Sequence, residues 1–306
     1  MNIVFMGTPD FAVKSLERII RDGHNVQAVY TKADAPKGRK MVLTPSDVKV
    51  CAIEHNLTVY TPSTFKDEAE VERLKALNPD LIVVVAYGKL LPKSVLDIPK
   101  YGCVNVHGSI LPKWRGAAPI QWTLLSGDEY GGVTTMYMNE GLDTGDVILT
   151  KKVKVGENET SGELFDRLCI DGAELLSETI KQIEAGTAPR TAQNDDEATY
   201  ASMLSKELSE IDFTKPAKEV HNKVRGLSPW PSAQSKLLGK RVKILETRVS
   251  EKSGEAGKVI CVSPLTVACG EGAVEIVTLQ PEGKRAMAAA DYLKGHSIEL
   301  GTVFGE

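Results

Sequence analysis

The run Asn105-Val106-His107 places an amide and an imidazole two residues apart in a stretch, Gly102–His107, that reads as a β-strand. Side chains two apart share a strand face. At a rise of ~3.3 Å per residue they stand roughly 6–7 Å apart along it, close enough to address one substrate atom. An amide NH2 and an imidazolium both donate hydrogen bonds, which suits an oxygen that gains negative charge while a carbonyl is attacked. The same pair also fits a hydrogen-bonded interior Asn and His of architectural use, and the spacing alone leaves both readings open. A carboxylate to orient the imidazole or take up a proton is offered by Asp143 in Glu140-Gly141-Leu142-Asp143-Thr144-Gly145-Asp146, with Asp146 the competing acid. The flanking glycines permit a sharp loop, and an Asp in such a loop can equally be a turn-stabilising residue. Cys103 and Ser109 fall on the face of His107 but are displaced along it, so neither is well placed as a nucleophile. Cys103 is expected to be a small buried hydrophobe, and Ser109 to meet a ligand through its main chain.

Ligands of open α/β sheets bind at the carboxyl ends of the strands, so the elements around His107 decide what it can do. Strand-like runs at Asn2–Met6, Asn25–Thr31, Thr58–Tyr60, Gly102–His107, Val133–Asn139 and Val147–Val153 alternate with helical patterns. The helical patterns are Pro9–Ile20, Ser46–Glu54 with Ser46 as cap, Asp67–Leu77, Ala117–Leu125 and Ser161–Ala185. Between them Leu81–Ala86 is continuously apolar, as a central parallel strand covered on both faces requires. The pattern predicts an α/β fold: a Rossmann-like, mostly parallel sheet with helices on both faces over residues 1–188. Residues 189–206 are polar and aperiodic and read as a linker. Residues 207–306, with one helix at Ala217–Gly226 and β segments at Arg241–Val249, Gly257–Ser263, Thr266–Cys269 and Val274–Leu279, read as an OB-like β-barrel.

Composition narrows the function classes. A chain of 306 residues with 42% hydrophobic and 25% charged side chains is sized for two folded domains, and its net charge of −4 means that any nucleic acid must be held by local patches. No apolar stretch approaches the ~20 residues that cross a bilayer, so no membrane partner is expected. Five cysteines, widely spaced and without CxxC pairs, fit free thiols in the cytoplasm. The turn Gly7-Thr8-Pro9-Asp10 is neither GxGxxG nor GxxxxGK[ST], and five scattered histidines offer no metal-ligand spacing.

The segment Asn105-Val106-His107-Gly108-Ser109-Ile110-Leu111-Pro112-Lys113-Trp114-Arg115-Gly116, read with Gly141-Leu142-Asp143-Thr144-Gly145-Asp146, closely resembles the formyltransferases that use 10-formyltetrahydrofolate. The opening Val4–Ala12, the segment Ala86-Tyr87-Gly88 and the Arg225–Pro231 junction are similar to the branch whose acceptor is initiator methionyl-tRNA. The resemblance implies a catalytic trio of Asn105, His107 and Asp143, which stabilises a tetrahedral oxyanion and accepts the amine proton without a covalent intermediate. It implies a folate-contacting turn at Ser109, Ile110, Leu111 and Pro112, with Ile110 where Leu is common, and a pterin-side turn at Ala86, Tyr87 and Gly88. It implies tRNA contacts from Lys37, Arg39 and Lys40 in a basic loop, which alone reads as a solvated charge cluster. Lys240, Arg241, Lys243 and Arg248 would add contacts from the C-terminal domain. The donor is a folate co-substrate, no metal is required, and a cytoplasmic monomer is expected. A formyltransferase acting on an aminosugar nucleotide and a noncatalytic folate-binding module are the alternatives.

Overall fold

Residues 1–38 and 40–305 are described by the computed structural model. In chain order the elements are β1 (Asn2–Gly7), α1 (Val13–Arg21), β2 (Asn25–Tyr30), β3 (Ala35–Lys37), β4 (Val42–Thr44), α2 (Asp47–Glu54), β5 (Val59–Tyr60), α3 (Glu68–Ala76), β6 (Leu81–Val85), α4 (Lys93–Leu96), β7 (Cys103–His107), β8 (Arg115–Gly116) and α5 (Pro119–Leu125). They continue with β9 (Tyr130–Tyr137), β10 (Val147–Lys154), α6 (Ser161–Ala185), β11 (Tyr200–Ala201), α7 (Ala217–Gly226), β12 (Ala233–Leu237), β13 (Lys240–Ser250), β14 (Val259–Cys261), β15 (Thr266–Ala268), β16 (Ala273–Pro281), β17 (Met287–Ala288) and α8 (Ala289–Gly295). The chain forms two compact units, one of residues 1–116, 132–153 and 165–200, the other of residues 117–131, 154–164 and 201 onward.

The first unit is built on a seven-stranded sheet of order β10-β9-β7-β6-β1-β2-β5. Strands β7, β6, β1, β2 and β5 run parallel, and β9 lies antiparallel to β7. All five residues of β6 are buried, as expected for its unbroken apolar run. Ser46 caps α2 by accepting from the Lys49 N–H, an interaction worth about 1 kcal/mol. The basic segment after β2, read as a loop, is instead an antiparallel ribbon of β3 and β4. Its strands have three residues each and bury nothing, so no alternation marks them in the sequence.

In the second unit, β12-β13-β16-β15-β14 pair antiparallel and β17 adds to β16. Val303 and Phe304 bridge Lys258 and Leu237, joining the region of both edge strands through the end of the chain. Val220 and Val224 of α7 pack with Val242, Ile244, Val267, Val274, Ile276 and Leu279 in one apolar core. β12 went unread in the sequence because its buried residues include Ala233 and Ser235, too small to signal a strand.

Candidate active site

β7 ends the parallel ladder, with Val84 of β6 beside Asn105 and Thr134 of β9 beside His107. Alternation along the strand sends Asn105 and His107 to one face, and Asp143 meets both there. Asn105 Nδ2 donates to Asp143 Oδ1 at 3.5 Å, the outer limit of a hydrogen bond, and His107 Nδ1 lies 3.7 Å from Asp143 Oδ2. The side chains of His107 and Asp143 are only 7% and 12% exposed, so a charge placed between them acts in a poorly hydrated environment. Nε2 of His107 is 2.9 Å from the carbonyl oxygen of Trp114. A carbonyl only accepts, so this nitrogen carries the proton, and Nδ1 becomes a donor only when the ring is cationic.

Asp143 is itself the strained residue of its loop, with φ of +53°. The flanking glycines serve a different need from the one expected of them. At Gly145 a Cβ would lie 1.7 Å from the Tyr137 carbonyl oxygen, so glycine is required there for close backbone approach, while the left-handed conformation falls on the aspartate. Asx residues tolerate this region better than most, yet it costs energy and persists only where neighbours enforce it. The Gly116 N–H donates to Asp143 Oδ2 at 2.8 Å, and Gln193 Nε2 donates to the carbonyl oxygens of Asp143 and Gly145, both at 2.8 Å. Asp146 points elsewhere, 3.7 Å from Arg190 Nη1.

The turn after β7 is fixed by Thr134. Its hydroxyl donates to the Ser109 carbonyl at 2.7 Å and accepts from the Leu111 N–H at 3.2 Å. The buried Ser109 hydroxyl donates to the Lys113 carbonyl at 2.6 Å, so it is committed to the turn. Leu111 is buried, whereas Ile110 is partly exposed, as is Pro112, which follows Leu111 through a cis bond. At the end of β6, Ala86 and Gly88 are exposed with φ of +46° and +70°. Tyr87 between them is buried in the apolar core, so the exposed surface of this turn does not include the tyrosine ring. Cys103 is also buried in that core, and burial pushes its thiol pKa up to about 12, which disfavours the thiolate.

Of the basic residues singled out, Lys37 and Lys40 are exposed on the β3–β4 ribbon beside the exposed apolar Met41, Val42 and Leu43. Arg39 lies outside the described residues. Lys240, Arg241, Lys243 and Arg248 all lie on β13. Irregular pairing with β16 around Glu246 shifts the strand's phase, so Arg248 faces solvent although Val242 and Ile244, an even number of residues away, are buried. Arg248 stands opposite Glu275, whereas Arg241 stands opposite Lys236. Like charges directly opposite one another repel.

Two residues at the site had no role assigned from the sequence. Arg115 is 2% exposed and donates through Nε and Nη2 to Gln193 Oε1 at 3.1 and 2.9 Å, and through Nη2 to Asp195 at 2.8 Å. Arg115 lies in the quoted motif, but Gln193 sits in the polar stretch 189–206, which therefore does more than connect.

Residues 1–180 match the formyl transferase family model, and residues 203–297 match the formyl transferase C-terminal domain. The chain belongs to the formyl transferase family and is a transferase. Full-length relatives are methionyl-tRNA formyltransferases. That of Clostridioides difficile is 49% identical over 309 residues spanning all of both chains, and that of Agathobacter rectalis is 48% identical over 308 residues, 99% of each. The fold is shared with an N-formyltransferase from Helicobacter canadensis solved with folinic acid and dTDP-3-aminofucose, with a TM-score of 0.69 at 20% identity over 92% of this chain and 99% of that one.

Proposed function

We propose that this protein transfers the formyl group of 10-formyltetrahydrofolate to the α-amino group of methionyl-initiator-tRNA, giving N-formylmethionyl-tRNA. The observation that carries the reading is the meeting of Asn105, His107 and Asp143 at the carboxyl end of β7, with each partner reaching a different oxygen of the carboxylate. Full-length identity to methionyl-tRNA formyltransferases supports the choice of acceptor.

The folate acts as co-substrate and supplies an activated formyl carbon. A free α-amine has a pKa of about 7.7–8.0, so a neutral, nucleophilic fraction is available near neutral pH. Its attack forms the new C–N bond and places negative charge on the formyl oxygen. Asn105 Nδ2 and the Nδ1–H of cationic His107 are the donors that receive this charge. The Nε2–H bond to Trp114 holds the ring in plane for that task. Asp143 takes the proton lost by the amine, directly or through water. Each carboxylate oxygen has two lone pairs, so beside the bonds from Asn105 to Oδ1 and Gly116 to Oδ2 the group retains capacity for this proton. That proton then passes to N10 as the C–N10 bond breaks. Ser109, Ile110, Leu111 and Pro112, with the backbone of Ala86, Tyr87 and Gly88, line the donor side.

Lys37, Arg39 and Lys40 approach the acceptor end of the tRNA, and the β13 face contributes Lys240, Arg241 and Lys243 to its phosphates. The Lys236–Arg241 opposition suits an anionic partner, whereas Arg248 stands opposite Glu275 and is the weakest of the proposed contacts. All five cysteines are free thiols, which accords with a cytoplasmic enzyme, and we place it there as a monomer.

The deciding experiment mixes purified protein and 10-formyltetrahydrofolate with initiator methionyl-tRNA, elongator methionyl-tRNA or a dTDP-aminosugar. Transfer to the initiator alone is expected. Turnover of the sugar without transfer to tRNA would overturn the acceptor, and folate binding without transfer to any amine would overturn the activity.

A further inference from the structure

We infer that Gln193 is a positioning residue for Asp143, acting through the backbone of the Asp143–Gly145 turn; the inference rests on the proton-accepting role proposed for Asp143. Three observations converge on it. The Gln193 amide NH2 spans two carbonyl oxygens of that turn, those of Asp143 and Gly145, at 2.8 Å each. Its carbonyl oxygen accepts two bonds from the buried guanidinium of Arg115. An arginine can only donate and a backbone carbonyl can only accept, so the amide has one orientation that satisfies all four contacts. The residue it grips holds a φ of +53°, a conformation that must be enforced by its surroundings.

The chain of constraint has an order. Arg115 is 2% exposed, and its own N–H donates to the Thr199 carbonyl, so its guanidinium is anchored at both ends of the side chain. Its next residue, Gly116, supplies the N–H that holds Asp143 Oδ2. Arg115 and Gly116 thus fix the carboxylate directly and, through Gln193, fix the backbone from which it projects. Without the Gln193 donors, the Asp143 and Gly145 carbonyls lose their side-chain partners and the left-handed turn is free to relax. The carboxylate then leaves the point where Asn105 and His107 converge. A shift of about 1 Å in a reacting group can cost up to ~10²-fold in rate.

The test is a double-mutant cycle in steady-state and single-turnover assays with initiator methionyl-tRNA and 10-formyltetrahydrofolate. Gln193→Leu is expected to lower kcat by about tenfold or more, with KM for the folate changed less than about twofold. Gln193→Glu has the same shape and still accepts from Arg115, but it offers no donor to the two carbonyls, so it is expected to lose at least as much. It serves as the second variant should the leucine impair folding. In an Asp143→Asn background either change is expected to alter kcat less than twofold, because the group being positioned is gone. An equal loss in both backgrounds, a rise in KM with kcat kept, or full activity of Gln193→Glu would each overturn the inference while leaving Asp143 in its role. If Asp143→Asn alone keeps wild-type kcat, the role of Asp143 falls first, and that result is read from the single variant.

Discussion

His107 and His221 are two buried histidines in similar settings, and they differ in what the second ring nitrogen meets. His221, in α7, has Nε2 3.1 Å from the Glu157 carbonyl oxygen and Nδ1 2.9 Å from the Thr247 hydroxyl. Nε2 therefore donates, Nδ1 accepts, and the neutral ring is fully satisfied. His107 likewise donates from Nε2 to a carbonyl, but its Nδ1 faces a carboxylate 3.7 Å away and, among the described residues, has no hydroxyl to accept from. One ring is complete as a neutral group. The other has a nitrogen turned toward a carboxylate. Burial alone does not distinguish them, since both are buried; the partner of the second nitrogen does.

The largest effect that would break this contrast is catalytic. Removing one oxyanion donor costs ~10²–10³ in rate, so His107→Ala and Asn105→Ala are each expected to lower kcat per folded molecule by that order; His107→Ala also orphans the Trp114 carbonyl, at about 1–3 kcal/mol of stability. His221→Ala is expected to lose stability alone. It orphans the Thr247 hydroxyl and the Glu157 carbonyl, at about 1–3 kcal/mol for each unsatisfied group, and leaves turnover per folded molecule unchanged. Initial rates and thermal denaturation on the same preparations check both. A stable, active His107→Ala would remove that residue from the mechanism.

A smaller effect sharpens the contrast through pH. Burial is the main cause of the lowered pKa of His221, assisted by the positive charge of Arg225. The unfolded state therefore binds a proton more readily than the native state once the pH falls below the ordinary histidine value of about 6.5. Stability contributed by the neutral ring is present above that value and is lost as the pH drops through it. Thermal midpoints measured from pH 7.5 to 5.5 should fall, and the fall should be shallower in His221→Gln. His24 is shifted the same way by burial and by the N-terminal amine, so the difference between the two proteins isolates His221. Parallel curves would show that His221 titrates no differently on folding.

What could be read in the sequence followed from side-chain periodicity. The β6 run is apolar because both faces are covered, α6 ends at Ala185 where its amphipathic repeat ends, and the period of two along β7 was enough to pair Asn105 with His107. The approach of Asp143 was legible only through the glycines around it, and the reason was partly different, since the positive φ belongs to the aspartate. Gln193 could not be found this way. Its partners on the Asp143 turn are backbone carbonyls, which every residue carries, and the buried Arg115 that orients it looks in the sequence like any basic residue of a loop. The β3–β4 ribbon was missed for a related reason: a strand pair with no buried face leaves no hydrophobic alternation to detect.

The smallest expected effect concerns Cys103, which lies on the same strand two residues before Asn105 and tests whether position on β7 is enough for chemistry. Its thiol donates weakly to the Leu96 carbonyl at 3.9 Å and is packed among Val84, Val95 and other core residues. With its pKa pushed up to about 12 by burial, almost no thiolate exists at neutral pH, and the thiolate is the nucleophile. Cys103→Ala should therefore keep kcat within about twofold, with only the cost of a small cavity, on the order of 1 kcal/mol, or a few degrees in midpoint for a domain of this size. Loss of turnover in a variant that still melts within those few degrees would mean that the thiol takes part in the reaction. The contrast would then have to be redrawn, because a group with no charge and no access to the carboxylate would be contributing from inside the core.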